Sequence, residues 1–182
     1  MGCRAGRRDS RGADSRFAAA AAEVERANFA CGAYVAQLLS EVFAADKVDV
    51  FVLDEHAGAL VAFGVSPTPM GHKERALGLD RLRLAAGGRA VSVFMSKAPY
   101  QCGHVDQDPE ELQAIRVGLG VRSTVAVPVA LLDQPLGVLM MTSAEPERFS
   151  PRDTELLAFV AHWLSLIAIG NDLEDPRERS ET

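Results

Sequence analysis

From Ala18 onward apolar residues recur with a helical period. Cys31, Val35, Leu38, Leu39, Val42 and Phe43 fall at three- and four-residue steps, with Glu23, Glu25, Arg26 and Glu41 among them. This is the stripe of a helix lying on a core, and it predicts Cys31 to be a packed thiol. After Asp46 the period shortens. Val48–Leu53 and Ala59–Phe63 are β-rich runs separated by Asp54-Glu55-His56-Ala57-Gly58, which predicts a hairpin. The stretch from Gly64 to Gly78, with Pro67, Pro69 and Gly71, reads as a loop, and Leu82–Ala85 as a short strand. Gly87-Gly88 opens a short helix over Arg89–Lys97, and Pro99–Cys102 is a brief strand. Asp108 introduces a second short helix over Pro109–Gly118, with Pro109 at its first position and Glu110 and Glu111 facing its dipole.

Two stronger strands follow, Ser123–Leu132 and Leu136–Ser143, joined by Asp133-Gln134-Pro135. Pro128 has no N–H to give a ladder, so it marks an edge or a bulge. The last element is a helix with Ser150 as N-cap, Pro151 at its first position and Asp153 three residues after the cap. Its apolar face holds Leu156, Leu157, Val160, Trp163, Leu164 and Ile167. The order is helix, hairpin, long connection with short helices, hairpin, helix. It predicts an α+β fold, an antiparallel sheet with the long N- and C-terminal helices packed side by side on one face.

Composition narrows the function classes. The 182 residues suit one domain, and a net charge of −6 argues against a general nucleic-acid binder. Only 6% of residues are aromatic, so Ala, Val and Leu must supply most of the core. Three scattered cysteines, Cys3, Cys31 and Cys102, make neither a disulfide framework nor a zinc site and predict a reduced, cytoplasmic setting. The N-terminus lacks the apolar core of a signal peptide, and Leu156–Ile169 is too short and too polar for a membrane span. Residues 1–16 carry Arg4, Arg7, Arg8, Arg11 and Arg16 among Gly, Ser and Asp, a composition that predicts a disordered tail; residues 175–182 form a second polar tail.

Three segments carry a resemblance. Val121-Arg122-Ser123-Thr124-Val125-Ala126-Val127-Pro128-Val129 is followed by Pro135-Leu136-Gly137-Val138-Leu139 and by Phe149-Ser150-Pro151-Arg152-Asp153-Thr154-Glu155-Leu156-Leu157. Together with the Gln107-Asp108-Pro109 turn they resemble a GAF domain, and the match spans about residues 17–174. Leu79-Asp80-Arg81-Leu82, Gly87-Gly88-Arg89-Ala90-Val91 and Asp108-Pro109-Glu110-Glu111-Leu112 look like the GAF modules of bacterial signalling proteins, sensor kinases among them. The resemblance implies a GAF/PAS-like sheet, a ligand held between that sheet and the short helices of the connection, and dimerisation through the terminal helices.

The expected function is a non-catalytic sensory or regulatory domain that binds a small molecule or a partner, such as a histidine kinase, and relays the signal as a homodimer. The candidate ligand-binding set is Phe51, Phe63 and Met141 from strands with Phe94, Cys102, His104 and Asp106 from the connection; apolar walls with a few polar groups suit a small molecule. The candidate dimer seam is Leu156, Val160, Trp163, Leu164 and Ile167. His56, His72, His104 and His162 show no metal-ligand spacing, and no pattern names a cofactor. The Asn-Lys-Phe-Asp-Glu motif of the cyclic-nucleotide branch is missing, Cys102-Gly103-His104 is a loose echo of a bilin attachment site, and no nucleophile elbow or P-loop occurs. Two alternatives stand beside the sensor. One is a ligand-free dimerisation module whose pocket is filled by its own side chains. The other is a thiol redox enzyme like the GAF-type methionine sulfoxide reductases, for which Cys102 has no neighbouring thiol to resolve a sulfenic acid.

Overall fold

In a computed structural model the described residues are 31–172, with side chains described as far as Leu166. The Arg-rich tail, the first half of the expected N-terminal helix, the tail at 175–182 and the side chain of Ile167 lie outside them. Helix α1 covers 31–42, and hairpin β1 (Lys47–Asp54) and β2 (Ala59–Val65) follows. Asp54 Oδ1 accepts from Ala57 N at 2.9 Å and Gly58 turns the chain at φ 57°.

The connection departs from its sequence reading at two places. The expected loop at Gly64–Gly78 contains a helix, α2 (Pro69–Ala76), capped by Thr68, whose hydroxyl accepts from Gly71 N at 3.2 Å, with Pro69 at the first turn. The expected helix at Pro109–Gly118 is instead a turn followed by a π-helical stretch at Ala114–Leu119. Asp108 caps no helix because its carboxylate is committed elsewhere, to Arg89, Tyr100 and Glu110 N. Between them run β3 (Arg81–Arg83), α3 (Arg89–Ser96) and β4 (Tyr100–Cys102).

Strands β5 (Ser123–Leu131) and β6 (Gln134–Ser143) form the second hairpin, and α4 (Pro151–Asp172) closes the described chain. The hairpin turns at Leu132-Asp133, with Leu132 at φ 51°, rather than at Asp133-Gln134-Pro135. The α4 start is a reciprocal cap: Ser150 N donates to Asp153 Oδ2 at 2.7 Å, and Asp153 N to Ser150 Oγ at 3.4 Å.

The strands make one antiparallel sheet in the order β3-β2-β1-β6-β5-β4. Because β4 pairs only with Thr124–Ala126, the neighbouring Pro128 meets a locally open edge, one residue before the irregularity at Val129/Ala130. On one face Val48, Val50, Val125, Val127, Leu139 and Met141 pack against Ala36 and Leu39 of α1 and Leu157 and Ala161 of α4. Phe51, Leu60, Ala126, Val138 and Met140 point the other way, against Ala90, Val91 and Phe94 of α3. Both faces are therefore covered, and polar residues of the central strands that point under the connection are buried too.

Candidate functional site

The interior between sheet and connection is polar at one end. Lys47 and Asp49 alternate with Val48 and Val50 on β1, so they project under the connection. There Lys47 Nζ lies 2.5 Å from Asp49 Oδ2 and 2.6 Å from Glu74 Oε2 of α2, all three side chains at most 3% exposed. Nearby Asp49 and Glu74 hold the Lys47 ammonium above its usual range, overcoming burial, which acts the other way. Burial, then the Asp49 charge, pushes the Glu74 carboxyl up to about 8, against the pull of Lys47. One ammonium thus serves two buried carboxyl groups, Asp49 and Glu74.

A third carboxylate, Glu111, is 3% exposed and close enough to feel the Lys47 charge. Its Oε1 accepts from Leu112 N at 2.8 Å and from Arg89 N at the start of α3 at 3.3 Å. Burial raises its pKa, while the two backbone donors pull it down. Gly88 makes this approach possible: at φ 90° a Cβ there would stand 2.8 Å from Leu112 Cγ and 3.2 Å from Glu111 Oε1.

At the mouth, Arg89 grips Asp108 with Nε at 2.5 Å and Nη2 at 2.7 Å, and reaches Glu110 with Nη1 at 2.6 Å. Tyr100 donates its hydroxyl to Asp108 Oδ2, and the guanidinium lies 4.6 Å from the Tyr100 ring centroid. The Arg89 hydrogen bond holds Asp108 well below the usual carboxylate range, and burial with the Asp108 bond raises the Tyr100 phenol. This cluster ties α3 to β4 and to the turn after Asp108. Beside it lies an open depression of about 660 Å³ lined by Gly87, Gly88, Val91, Met95 and Glu110.

The expected ligand-binding residues do not converge. Phe51 and Phe94 meet under the connection, 1% and 4% exposed. Phe63 and Met141 lie on the opposite face with the terminal helices, because Phe51 pairs across the hairpin with Ala62 and Asp49 pairs with Met140. Cys102 packs against Val105, Ile115 and Val121 at the far end of this interior. His104 is outside it, exposed and 3.3 Å from Glu147, as is Asp106, 3.9 Å from Arg122. Of the expected seam, Leu156 and Trp163 are exposed, and Val160 and Leu164 are half-buried against the core. Phe159 and Leu166 add to the exposed stripe, and Phe159 and Trp163 stack edge to face at 6.1 Å. Tyr34, Leu38 and Val42 of α1 are exposed as well, and so is Cys31, which the helical stripe had placed in the core.

The sequence reading singled out neither Lys47, Asp49 nor Glu74, and it took Asp108 and Glu111 as the start of a helix rather than as partners of Arg89. Among the described residues no group of three His, Cys, Asp or Glu side chains could hold a metal ion, and no helix is long and apolar enough to cross a membrane.

A single antiparallel sheet, covered by α1 and α4 on one side and by a short-helix connection on the other, defines a small α+β module. The chain belongs to the GAF domain family, whose model matches residues 17–167. The fold is similar to a type II free methionine-R-sulfoxide reductase from Thermoplasma acidophilum: 19% identity, 79% of this chain and 93% of that one, TM-score 0.65. It is also similar to the GAF domain of a phosphoenolpyruvate-protein phosphotransferase from Coxiella burnetii (19% identity, 81% and 84% covered, TM-score 0.66). A free methionine-R-sulfoxide reductase from Neisseria meningitidis in complex with its substrate matches at 22% identity, with 76% and 75% covered and a TM-score of 0.62. No curated protein matches the sequence.

Proposed function

We propose that this GAF domain is a non-catalytic sensory or regulatory module of a bacterial signalling system, working in the cytoplasm as a homodimer. It takes a small molecule beneath the connection and passes the change to the terminal helices, and from there to a partner such as a histidine kinase. One observation carries the reading: Asp49 points under the connection while its chain neighbours Val48 and Val50 pack in the core beneath α1 and α4. A ligand with different affinities for two settings of β1 would bias the packing of those helices. The exposed apolar stripe Leu156, Phe159, Trp163 and Leu166 supports the second copy as the surface that reads the change.

A non-catalytic role is favoured over thiol redox chemistry by the placement of the two described cysteines. Cys31 stands on α1, over one face of the sheet, and Cys102 under the connection on the other. The ligand-free interaction module keeps one observation in its favour, the self-paired Lys47 filling that interior.

Native mass spectrometry of the chain purified from a cytoplasmic host separates these readings. A dimer with an added small mass is the expected result. A dimer without one favours the interaction module, and a bare monomer removes the relay. Methionine sulfoxide reductase activity lost in Cys102→Ser would overturn the non-catalytic reading.

A further inference from the structure

Strand β4 joins the two covered faces of the sheet. It is a three-residue edge strand, paired on one side only, with Thr124–Ala126 of β5. Successive side chains of a strand point to opposite faces. Tyr100 and Cys102 accordingly turn under the connection, Tyr100 to Asp108 and the Arg89 guanidinium, Cys102 to Val105 and Ile115. Gln101 turns the other way, towards the terminal helices.

Both ends of the Gln101 amide are engaged at the entry to α4. Nε2 donates to Phe149 O at 2.8 Å, one residue before the Ser150 cap, and Oε1 accepts from the hydroxyl of Thr154 in the first turn at 2.8 Å. The main chain adds a third tie, because Gly103 O accepts from Glu147 N at 3.0 Å. The segment so held also reaches α1. Ala144 N donates to Asp46 Oδ2 at 2.8 Å, and Arg148 Nη2 donates to Phe43 O, just past the end of α1, at 3.1 Å. Residues 100–103 are therefore fastened to the Arg89–Asp108 cluster on one face and to the junction of both terminal helices on the other. With a ladder of three pairs along one edge, β4 is held by these ties as well as by the sheet.

We propose that β4 is a lever between the faces: release of Tyr100 from Asp108 beneath the connection loosens the grip of Gln101 on the start of α4, and displacement of α4 is felt in return at Asp108. The proposal rests on the relay reading above and adds a route to it. This route ends on the cap and first turn of α4, so it acts on where that helix begins rather than on how its buried face packs. Coupling between two sites is reciprocal, so the lever can be measured from either end in the chain alone, without a ligand.

Hydrogen–deuterium exchange of the full chain at one pH follows three segments: the turn at residues 108–112, the α4 start at residues 153–157, and β1 as the reference. Tyr100→Phe removes only the hydroxyl. It should speed exchange at 108–112 about tenfold, the scale of one hydrogen bond to a charged group, and at 153–157 about threefold, the scale of coupling between linked sites. Gln101→Ala should speed 153–157 directly and 108–112 about threefold through the lever. In the double variant the effect of Tyr100→Phe on 153–157 should vanish, and β1 should keep its wild-type rate throughout. Loosening confined to the mutated side in either single variant overturns the lever. So does no change at either segment, equal acceleration in β1, or a Tyr100→Phe effect on α4 that survives Gln101→Ala undiminished. Gln101 is exposed, so its variant decides the matter even if Tyr100→Phe does not fold. Failure of the lever removes this route alone, whereas the ligand-binding reading stands or falls with the adduct in native mass spectrometry.

Discussion

Lys47 Nζ and Glu74 Oε2 stand 2.6 Å apart across 27 residues of sequence, both buried, and this contact fastens α2 to the central strand β1. Its removal leaves carboxylates in a low-dielectric interior with no counter-charge. Lys47→Met therefore lowers stability by about 3–5 kcal/mol, the range for breaking a buried pair on one side. Adding Glu74→Leu recovers part of the loss, because one of the stranded acids is gone. Urea unfolding of both variants at one pH checks the ordering.

The same cluster gives stability an unusual pH dependence. Glu74 binds its proton up to about pH 8 in the folded chain but releases it near 4.5 when unfolded. The folded state thus holds more protons across that window, and the contribution of Glu74, full at low pH, is lost as pH rises from about 4.5 to about 8. Glu111, also raised by burial, acts in the same direction. Asp108 acts oppositely: its pKa is depressed by Arg89, so its contribution is present above the unfolded value of 3.8 and lost as pH falls below it. Unfolding midpoints should decline from pH 5 to pH 8, and Glu74→Gln should flatten that decline.

The hairpins and the α4 start were legible because their signals are local: β-rich runs around Asp54–Gly58, and Ser150-Pro151 with Asp153. Helix α2 was not, since Pro69–Ala76 has no apolar stripe and its Pro and Gly residues imitate a loop. The signal that could have found it was Thr68 followed by Pro69. Lys47 and Asp49 look like the solvent side of a strand when they alternate with valines. Only the covering of both sheet faces makes them interior, and their partner Glu74 comes from the unread helix. The placement of Phe63 depended on the irregularity at Val50/Phe51, which skips it in the pairing of β1 with β2, and that of Met141 on its pairing with Val48.

Arg89 is not replaceable by lysine. Its two parallel contacts to Asp108 and its third to Glu110 need a planar fork, and the stacking on Tyr100 needs a flat cation. Arg89→Lys keeps the charge yet should cost about 1–3 kcal/mol, the scale of hydrogen bonds to charged groups. The loss should concentrate in α3 and the turn after Asp108, visible as faster amide exchange there than in β1.

Helix α1 approaches the sheet so closely at Gly64 that a Cβ there would lie 2.1 Å from Gly32 O. The obstacle is backbone, which cannot rotate away. Gly64→Ala should therefore destabilise by about 1–3 kcal/mol through overpacking, whereas Gly118→Ala, whose nearest neighbour would be the Leu77 side chain at 3.5 Å, should have little steric effect. Chemical denaturation of the two variants gives the comparison.

Helix α4 divides its apolar residues between two tasks, and substitution should separate them. Leu157 is fully buried beneath the sheet, while Trp163 is 54% exposed on the outer stripe. Leu157→Ala removes core atoms and should cost about 2–5 kcal/mol whatever the association state. Trp163→Glu places a charge where water already reaches, so an isolated protomer should lose little stability. If the stripe is the seam between two copies, that charge should convert a dimer into a folded monomer in light scattering. A Trp163→Glu dimer with wild-type dissociation would assign the stripe to something other than self-association.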